Sequence, residues 1–499
     1  MADFRNLLVA AALTLGPAAG CSADAPEDSA PVEAAAEPEA AIEPLPEHLD
    51  GQISDYLAQF GRNWPSFRFH GVVLVARGGD IGVHRAFGSA DLQSEVPNET
   101  TTRFRIGTMS AQFTATAIMA LADLGKLSLS DPLAKFIPDY PRADAITIEH
   151  LLTHSSGIPN FTEAQSFGAL NHTPKTTDAL IASFRGAPLE HEPGAETTPS
   201  NSNYVLLAGV VEAVTGKPFE QYVAQRVLVP AEMKATDFGT TEYQQATGLQ
   251  FNEKEHLDPV RSVHPGSFGA AGGYLSTAED LFKFNRALAG GTLLTQASRD
   301  KMMGRFESEI GYAWVTQVSR GRTISGWPGL IDGLNCSVLN VAQDETTVIV
   351  LANTEVVSAG QVAQDIVTMI YGGDPPTYDE HREVPVPLVE QVNAAGHYTI
   401  TRKTERQVEA IDPERLDSLA EIDIVLEGDH LMLEIPVHGR KRMHPLGNGR
   451  FFFKDLPRTT AQYTLRSDGR GKLVLSQPGG AELSFVRKAT PPAKRLATR

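Results

Sequence analysis

Cysteine is nearly absent. Cys21 and Cys336 are the only two in 499 residues, so a disulfide framework is not the source of stability. Cys336 lies in an apolar, strand-like run and reads as a small buried hydrophobe rather than a reactive thiol. Basic residues are also in deficit. With 43 Lys and Arg against 61 Asp and Glu, the formal charge of −18 excludes a nucleic-acid partner, which needs a basic surface. No His or Cys cluster has metal-ligand spacing, so neither a metal nor another cofactor is implied. The apolar stretch near the start, Leu7 to Leu15, is too short for a spanning helix. What the chain does have is 41% hydrophobic residues, enough for a sizeable core, over a length that calls for two or three domains.

Residues 1–20 run from Arg5 through Leu7–Leu15 to Gly-Pro-Ala-Ala-Gly, which is the layout of a signal peptide. Ala18-Ala19-Gly20-Cys21 resembles a bacterial lipobox. That resemblance implies lipidation of Cys21, a hold on the membrane surface rather than a span, and an exported envelope protein facing the periplasm. Ser22, where Asp is absent, points to the outer membrane. Residues 21–46 are Ala, Pro, Glu and Asp with few large apolar side chains, and read as a disordered acidic linker that carries part of the negative charge.

The stretch Phe104 to Leu127 organises the first large domain: a strand end, a turn at Gly107, then a helix whose face carries Phe113, Ala117, Leu121 and Leu124. Thr108 stands where that helix begins, beside unpaired backbone N–H groups. Apolar, β-branched runs at 70–76 and 81–87 predict a hairpin, as do 334–341 and 346–351, with a closing helix over 362–370. Pro and Gly at 372–376 and Val384-Pro-Val-Pro-Leu388 mark a boundary. Beyond it, short alternating runs beginning at Gly396, Ile422, His430, Arg450, Ala461 and Lys472 predict a small antiparallel β-domain open to barrel closure. The predicted organisation is a domain over 47–373, a linker over 374–388, a β-domain over 389–490 and a basic tail over 491–499.

Several phrases resemble the serine β-lactamase-like and penicillin-binding-protein family, in its esterase and peptidase branch. They are Gly125-Lys-Leu-Ser-Leu with Asp131-Pro132, Leu151-Leu-Thr-His-Ser-Ser-Gly157, and Gly272-Gly-Tyr-Leu-Ser-Thr-Ala-Glu-Asp-Leu281. The resemblance covers roughly residues 50–372 and implies an α/β fold: an antiparallel sheet flanked by helices, with a helical subdomain. It also locates three catalytic motifs. The family's nucleophilic Ser and its Lys three residues later fall on Thr108 and Ala111; the Tyr-x-Asn motif falls on Pro199 and Asn201; the His-x-Gly or Lys-Thr-Gly strand falls on Trp327-Pro328-Gly329. The base is missing, the phenol has become a proline, and the cation-capable residue has become an indole. The backbone donors of an oxyanion hole, the N–H groups of Thr108 and Leu330, do not depend on side chains. In the family His154 is structural, and Tyr204 lies out of phase with its motif on a core helix. Ser298-Arg-Asp-Lys301 fits the letters Ser-x-x-Lys but has no strand or Gly turn before it and reads as a chance match. Trp327 either fills the space beside Thr108 and Ala111 or forms a stacking wall for a ligand.

Loss at three separate motifs with the framework phrases intact predicts a catalytically degenerate envelope protein. It would bind a peptide, a peptidoglycan fragment or an ester-like small molecule in the former cleft. The alternative is an active hydrolase of this family with a rebuilt site, in which Thr108 works with Asp332, His264 or His154 as base.

Overall fold

The computed structural model describes residues 42–62, 65–164, 167, 175–239, 245–252, 256–260, 263–304, 310–319, 321–331, 333–375, 383–402, 404, 419–436, 439–453, 456–467, 470–476 and 482–488. They fall into two compact units, one over residues 42–376 and one containing the described residues from 383 onward.

The first unit is built on a six-stranded antiparallel sheet. Its strands are β1 (Gly71–Arg77), β2 (Asp80–Phe87), β3 (Val315–Ser319), β4 (Arg322–Ile331), β5 (Leu334–Val341) and β6 (Thr346–Ala352). The spatial order is β3-β4-β5-β6-β1-β2. β6 is buried at all seven positions, and its Val, Ile and Leu side chains leave no polar face. That is the pattern of a central strand covered on both sides.

Three helices matter for the site. α1 (Ala111–Asp123) runs through the core, with Phe113, Ala117 and Leu121 buried. Leu124, expected on the same face, is the helix cap and is 58% exposed. The helical period carries no information once the last turn unwinds. α2 (Asn201–Thr215) packs against α1 and ends at Gly216 in the left-handed region. α3 (Ala359–Ile370) closes the unit against β5 and β6. It begins three residues earlier than its apolar run, because the Ser358 hydroxyl accepts the Gln361 N–H and sets the start. Thr277, not Ser276, caps the helix Ala278–Ala289 through the Asp280 N–H; Ser276 belongs to the preceding strand.

Residues 42–46, placed by composition in the linker, belong to this unit. Arg77 donates to the carbonyls of Glu43 and Pro44, and Ile42 and Leu45 lie against Gly78 and Gly82 of the β1–β2 hairpin. Two apolar side chains in an acidic stretch suffice to seat it on the sheet edge. The remainder of the expected linker and Cys21 lie outside the described residues.

The second unit is a closed barrel of eight antiparallel strands, each paired with its neighbours in chain order. They are β7 (Gly396–Ile400), β8 (Glu421–Glu427), β9 (His430–Ile435), β10 (Gly439–Gly447), β11 (Arg450–Phe453), β12 (Leu456–Leu465), β13 (Gly471–Ser476) and β14 (Leu483–Arg487). Closure through β7–β14 removes both open edges. Tyr398, Leu433, Phe453, Leu473 and Phe485 are among the side chains that fill the interior. Residues 383–387, expected as linker, are attached here: Val384 N–H donates to Pro445 O, and Glu383 meets the buried His444 at 2.5 Å. Among the described residues no helix is long and apolar enough to cross a membrane.

Candidate active-site cleft

The cleft forms where β4 outlasts its neighbour. β3 pairs with β4 only from Arg322 to Gly326, whereas β5 continues to Ile331. Beyond Gly326, one edge of β4 is left without a strand partner. The turn Gly107–Ser110, a single turn of 3-10 helix leading into α1, lies against that edge. Thr108 therefore sits one step ahead of the α-helix proper, which starts at Ala111.

The approach is backbone to backbone and depends on two glycines. A Cβ on Gly329 would stand 2.1 Å from the Ile106 carbonyl oxygen, and one on Gly107 would stand 2.5 Å from the Leu330 oxygen. Gly107 is also at φ +53°, where a side chain is strained in any case. Pro328 fits the same logic. Its carbonyl accepts the Thr108 hydroxyl at 3.2 Å, so its backbone faces the open edge and its missing N–H costs the ladder nothing. By the two-residue alternation of a strand, Leu330 directs its N–H to that same edge. Both backbone donors expected of an oxyanion hole, on Thr108 and Leu330, thus lie where the turn and the strand meet.

The motif-equivalent side chains converge only in part. The Trp327 indole N–H donates to the Thr108 carbonyl at 3.1 Å, and the Ala111 N–H bonds the same oxygen. On its other side the indole lies parallel to the His154 imidazole, with 4° between the rings and 6.4 Å between centroids. Trp327 is half-buried and packs on the main core. Ala111 is 4% exposed and carries no group that could take a proton. Pro199 is exposed, immediately before α2. Asn201, the first residue of α2, is engaged in a network of its own and makes no bond to Thr108. Its amide donates to the Thr162 hydroxyl at 3.1 Å, and its N–H donates to Asn160 Oδ1 at 3.2 Å.

The candidate bases are tied elsewhere. His154 Nδ1 accepts the Ser200 N–H at 3.1 Å, and burial pushes the imidazole pKa down to about 4. Its carbonyl also accepts the Thr198 N–H, and its φ is +58°, so this histidine fixes the chain that leads into α2. His264 Nδ1 accepts the Gly266 N–H at 3.0 Å and caps a short turn. Asp332 lies outside the described residues. Tyr204 is 1% exposed, and its hydroxyl donates to Leu152 O at 3.2 Å, away from Thr108. The pair Ser298 and Lys301 is likewise occupied: Ser298 bonds Asp123 at 2.6 Å and Lys301 pairs with Glu149 at 3.1 Å. Among the described residues no group of three His, Cys, Asp or Glu is placed to hold a metal ion.

Asn160, Thr162 and Ser200 are missed by motif reading. The one available signal was Asn160, an N-cap residue type just before Phe161–Glu163. Its bond to Asn201 crosses 41 residues and has no local trace.

A family model described as Beta-lactamase matches residues 53–367. Over 254 residues the chain is 34% identical to the "Putative penicillin-binding protein PbpX" of Bacillus subtilis, covering 50% of this chain and 61% of that protein. It is 25% identical over 454 residues to "Penicillin-binding protein 4*" of the same organism, covering 83% of this chain and 94% of that one. A penicillin-binding protein structure from Bacillus halodurans, 27% identical, superimposes with a TM-score of 0.56 over 66% of this chain and 99% of that one.

Proposed function

The chain belongs to the beta-lactamase family, and we propose that it is a catalytically degenerate member that binds its ligand in the former active-site cleft. One observation carries this reading. The Thr108 hydroxyl is bonded to a backbone carbonyl, and the position beside it is filled by an indole rather than by an amine or imidazole. Acyl transfer needs a group that removes the hydroxyl proton as the bond to carbon forms. A carbonyl oxygen does not take that proton at neutral pH, and loss of the base alone costs several orders of magnitude in rate.

What the cleft retains is recognition. Leu330 offers an N–H on an open strand edge, Thr108 offers an oxygen, and Trp327 with Pro328 and Leu330 offers apolar surface. An acyl carbonyl of a peptide, a peptidoglycan fragment or an ester fits such a site as a bound group. The ligand would be met in the bacterial envelope, with Cys21 as the lipid anchor. Incorporation of labelled palmitate that persists in Cys21→Ser would remove the anchor from this picture.

The deciding experiment treats the full chain with a fluorophosphonate and a fluorescent penicillin, and measures turnover of chromogenic esters and a cephalosporin. No covalent label at residue 108 and no turnover above Thr108→Ala are expected. A stable adduct on that hydroxyl would overturn the reading in favour of the rebuilt-enzyme alternative.

A further inference from the structure

A pocket of about 570 Å³ opens on the first unit, and neither Thr108, Trp327 nor Leu330 lines it. Val205, Ala208 and Glu212 of α2 line it, between about 6 and 16 Å along the helix from Asn201. Its floor is apolar, with Leu180, Phe219 and Phe238 joining Val205 and Ala208. Its rim is charged: Asp178, Glu212 and Glu220 against Lys175 and Lys217. The Lys217 ammonium is already bonded to Gln225 at 2.7 Å.

Glu212 and Lys175 are the half-buried charges among these, and Glu212 is the one held by hydrogen bonds. One of its oxygens accepts the Phe219 N–H at 2.9 Å and the Thr177 hydroxyl at 3.1 Å. Helix capping uses that oxygen alone, and no described residue bonds the other. Burial holds the carboxyl above its usual range, and Glu220 and Asp178 push the same way. A buried polar group lies beside Phe238. Tyr274 is 1% exposed, its ring packs edge-on against Phe238, and its hydroxyl has no partner among the described residues. Burial raises the pKa of this phenol, and the Glu220 charge pushes the same way.

An anion would meet three carboxylates against two ammonium groups, one of them already bonded to Gln225, and a purely apolar molecule would leave the free oxygen of Glu212 under cover without a donor. We propose that this pocket is a second ligand site, selective for a small organic ammonium with an apolar body. The ammonium sits on the free oxygen of Glu212, and the body lies on Phe219, Phe238 and Leu180. The volume falls within the range of small-molecule sites.

Titrations of the full chain with benzylamine, benzyl alcohol and benzoate, followed by NMR, test the assignment. Benzylamine is expected to bind at least about tenfold more tightly than the other two, as a charge-assisted contact requires. Glu212→Gln is expected to remove that preference. Because Glu212 also caps a helix, the exposed Glu220→Gln is the second variant, with a several-fold loss expected and the fold intact. Thr108→Ala should leave benzylamine binding unchanged. The proposal fails if benzylamine binds no better than benzyl alcohol, if neither carboxylate variant weakens it, or if Thr108→Ala abolishes it.

Discussion

Replacing Gly329 by alanine tests the closeness of the β4 edge and the Thr108 turn with a single methyl group. In ordinary backbone geometry, Gly→Ala stabilises a protein by about 0.4–1 kcal/mol through the unfolded chain. Gly329 has ordinary geometry, but its new Cβ would stand 2.1 Å from Ile106 O and 3.2 Å from Met109 Cβ. Normal van der Waals contact needs more than 1 Å of extra separation from that oxygen. Neither side can yield by rotating a side chain, because the first clash is with backbone. The strand or the turn must move, and the cost of overpacking at such a site is about 3 kcal/mol. The helix Leu49–Gln59 supplies the control: a methyl group on Gly51 would meet nothing within 4 Å, so Gly51→Ala should gain about 0.5–1 kcal/mol. All three tryptophans, Trp64, Trp314 and Trp327, fall within residues 42–376, so denaturant unfolding followed by tryptophan fluorescence reports this unit and not the barrel. Opposite shifts of midpoint for the two glycines are expected. A Gly329→Ala midpoint within about 0.5 kcal/mol of the parent would refute the contact between strand and turn, and with it the position of the Leu330 donor.

Two further outcomes rest on the same geometry. Trp327→Ala removes a half-buried ring, its stack on His154 and its bond to Thr108 O, and should cost about 2–3 kcal/mol in urea unfolding; a loss below about 0.5 kcal/mol would mean that the indole is not packed there. His154 gives a pH signature. Its pKa in the fold is about 4 against 6.5 for an imidazole in water, so below pH 6.5 the unfolded chain takes up the proton first and stability falls with pH, levelling near pH 4. The full effect is about 3 kcal/mol. Asn tolerates the left-handed φ of this position and can accept the Ser200 N–H, so His154→Asn should flatten the slope of stability between pH 6.5 and 4; an unchanged slope would show that this imidazole is not held neutral.

The framework was legible because its signals are local. A Gly turn before an apolar helix and β-branched runs at 70–76 and 81–87 each depend on a few neighbouring residues. The barrel was legible only in part. β8 and β9 alternate cleanly, but β10 reads Gly-Arg-Lys-Arg-Met-His-Pro-Leu-Gly: Met443 faces the interior beside Leu431, Lys441 shares that face, and His444 is buried on the opposite face against Glu383 and Phe452. A strand with one apolar side chain on its interior face and Arg440, Arg442 and His444 on the other has no apolar period to detect. β14, five residues long, was lost for want of length. In the cleft, the altered residues could be read off the motifs, but what they do could not. The indole reaches Thr108 across 219 residues, and Asn201 turns to Thr162 across 39. Such pairings are set by the packing of the whole unit rather than by any window of sequence.

The shared acceptor at Thr108 makes the anchoring of the turn redundant. Two donors from different elements, the Ala111 amide of α1 and the Trp327 indole of β4, converge on one carbonyl oxygen. Losing the indole removes the side-chain tie to the strand and leaves the backbone tie to the helix, so substitutions at 327 loosen the turn without releasing it.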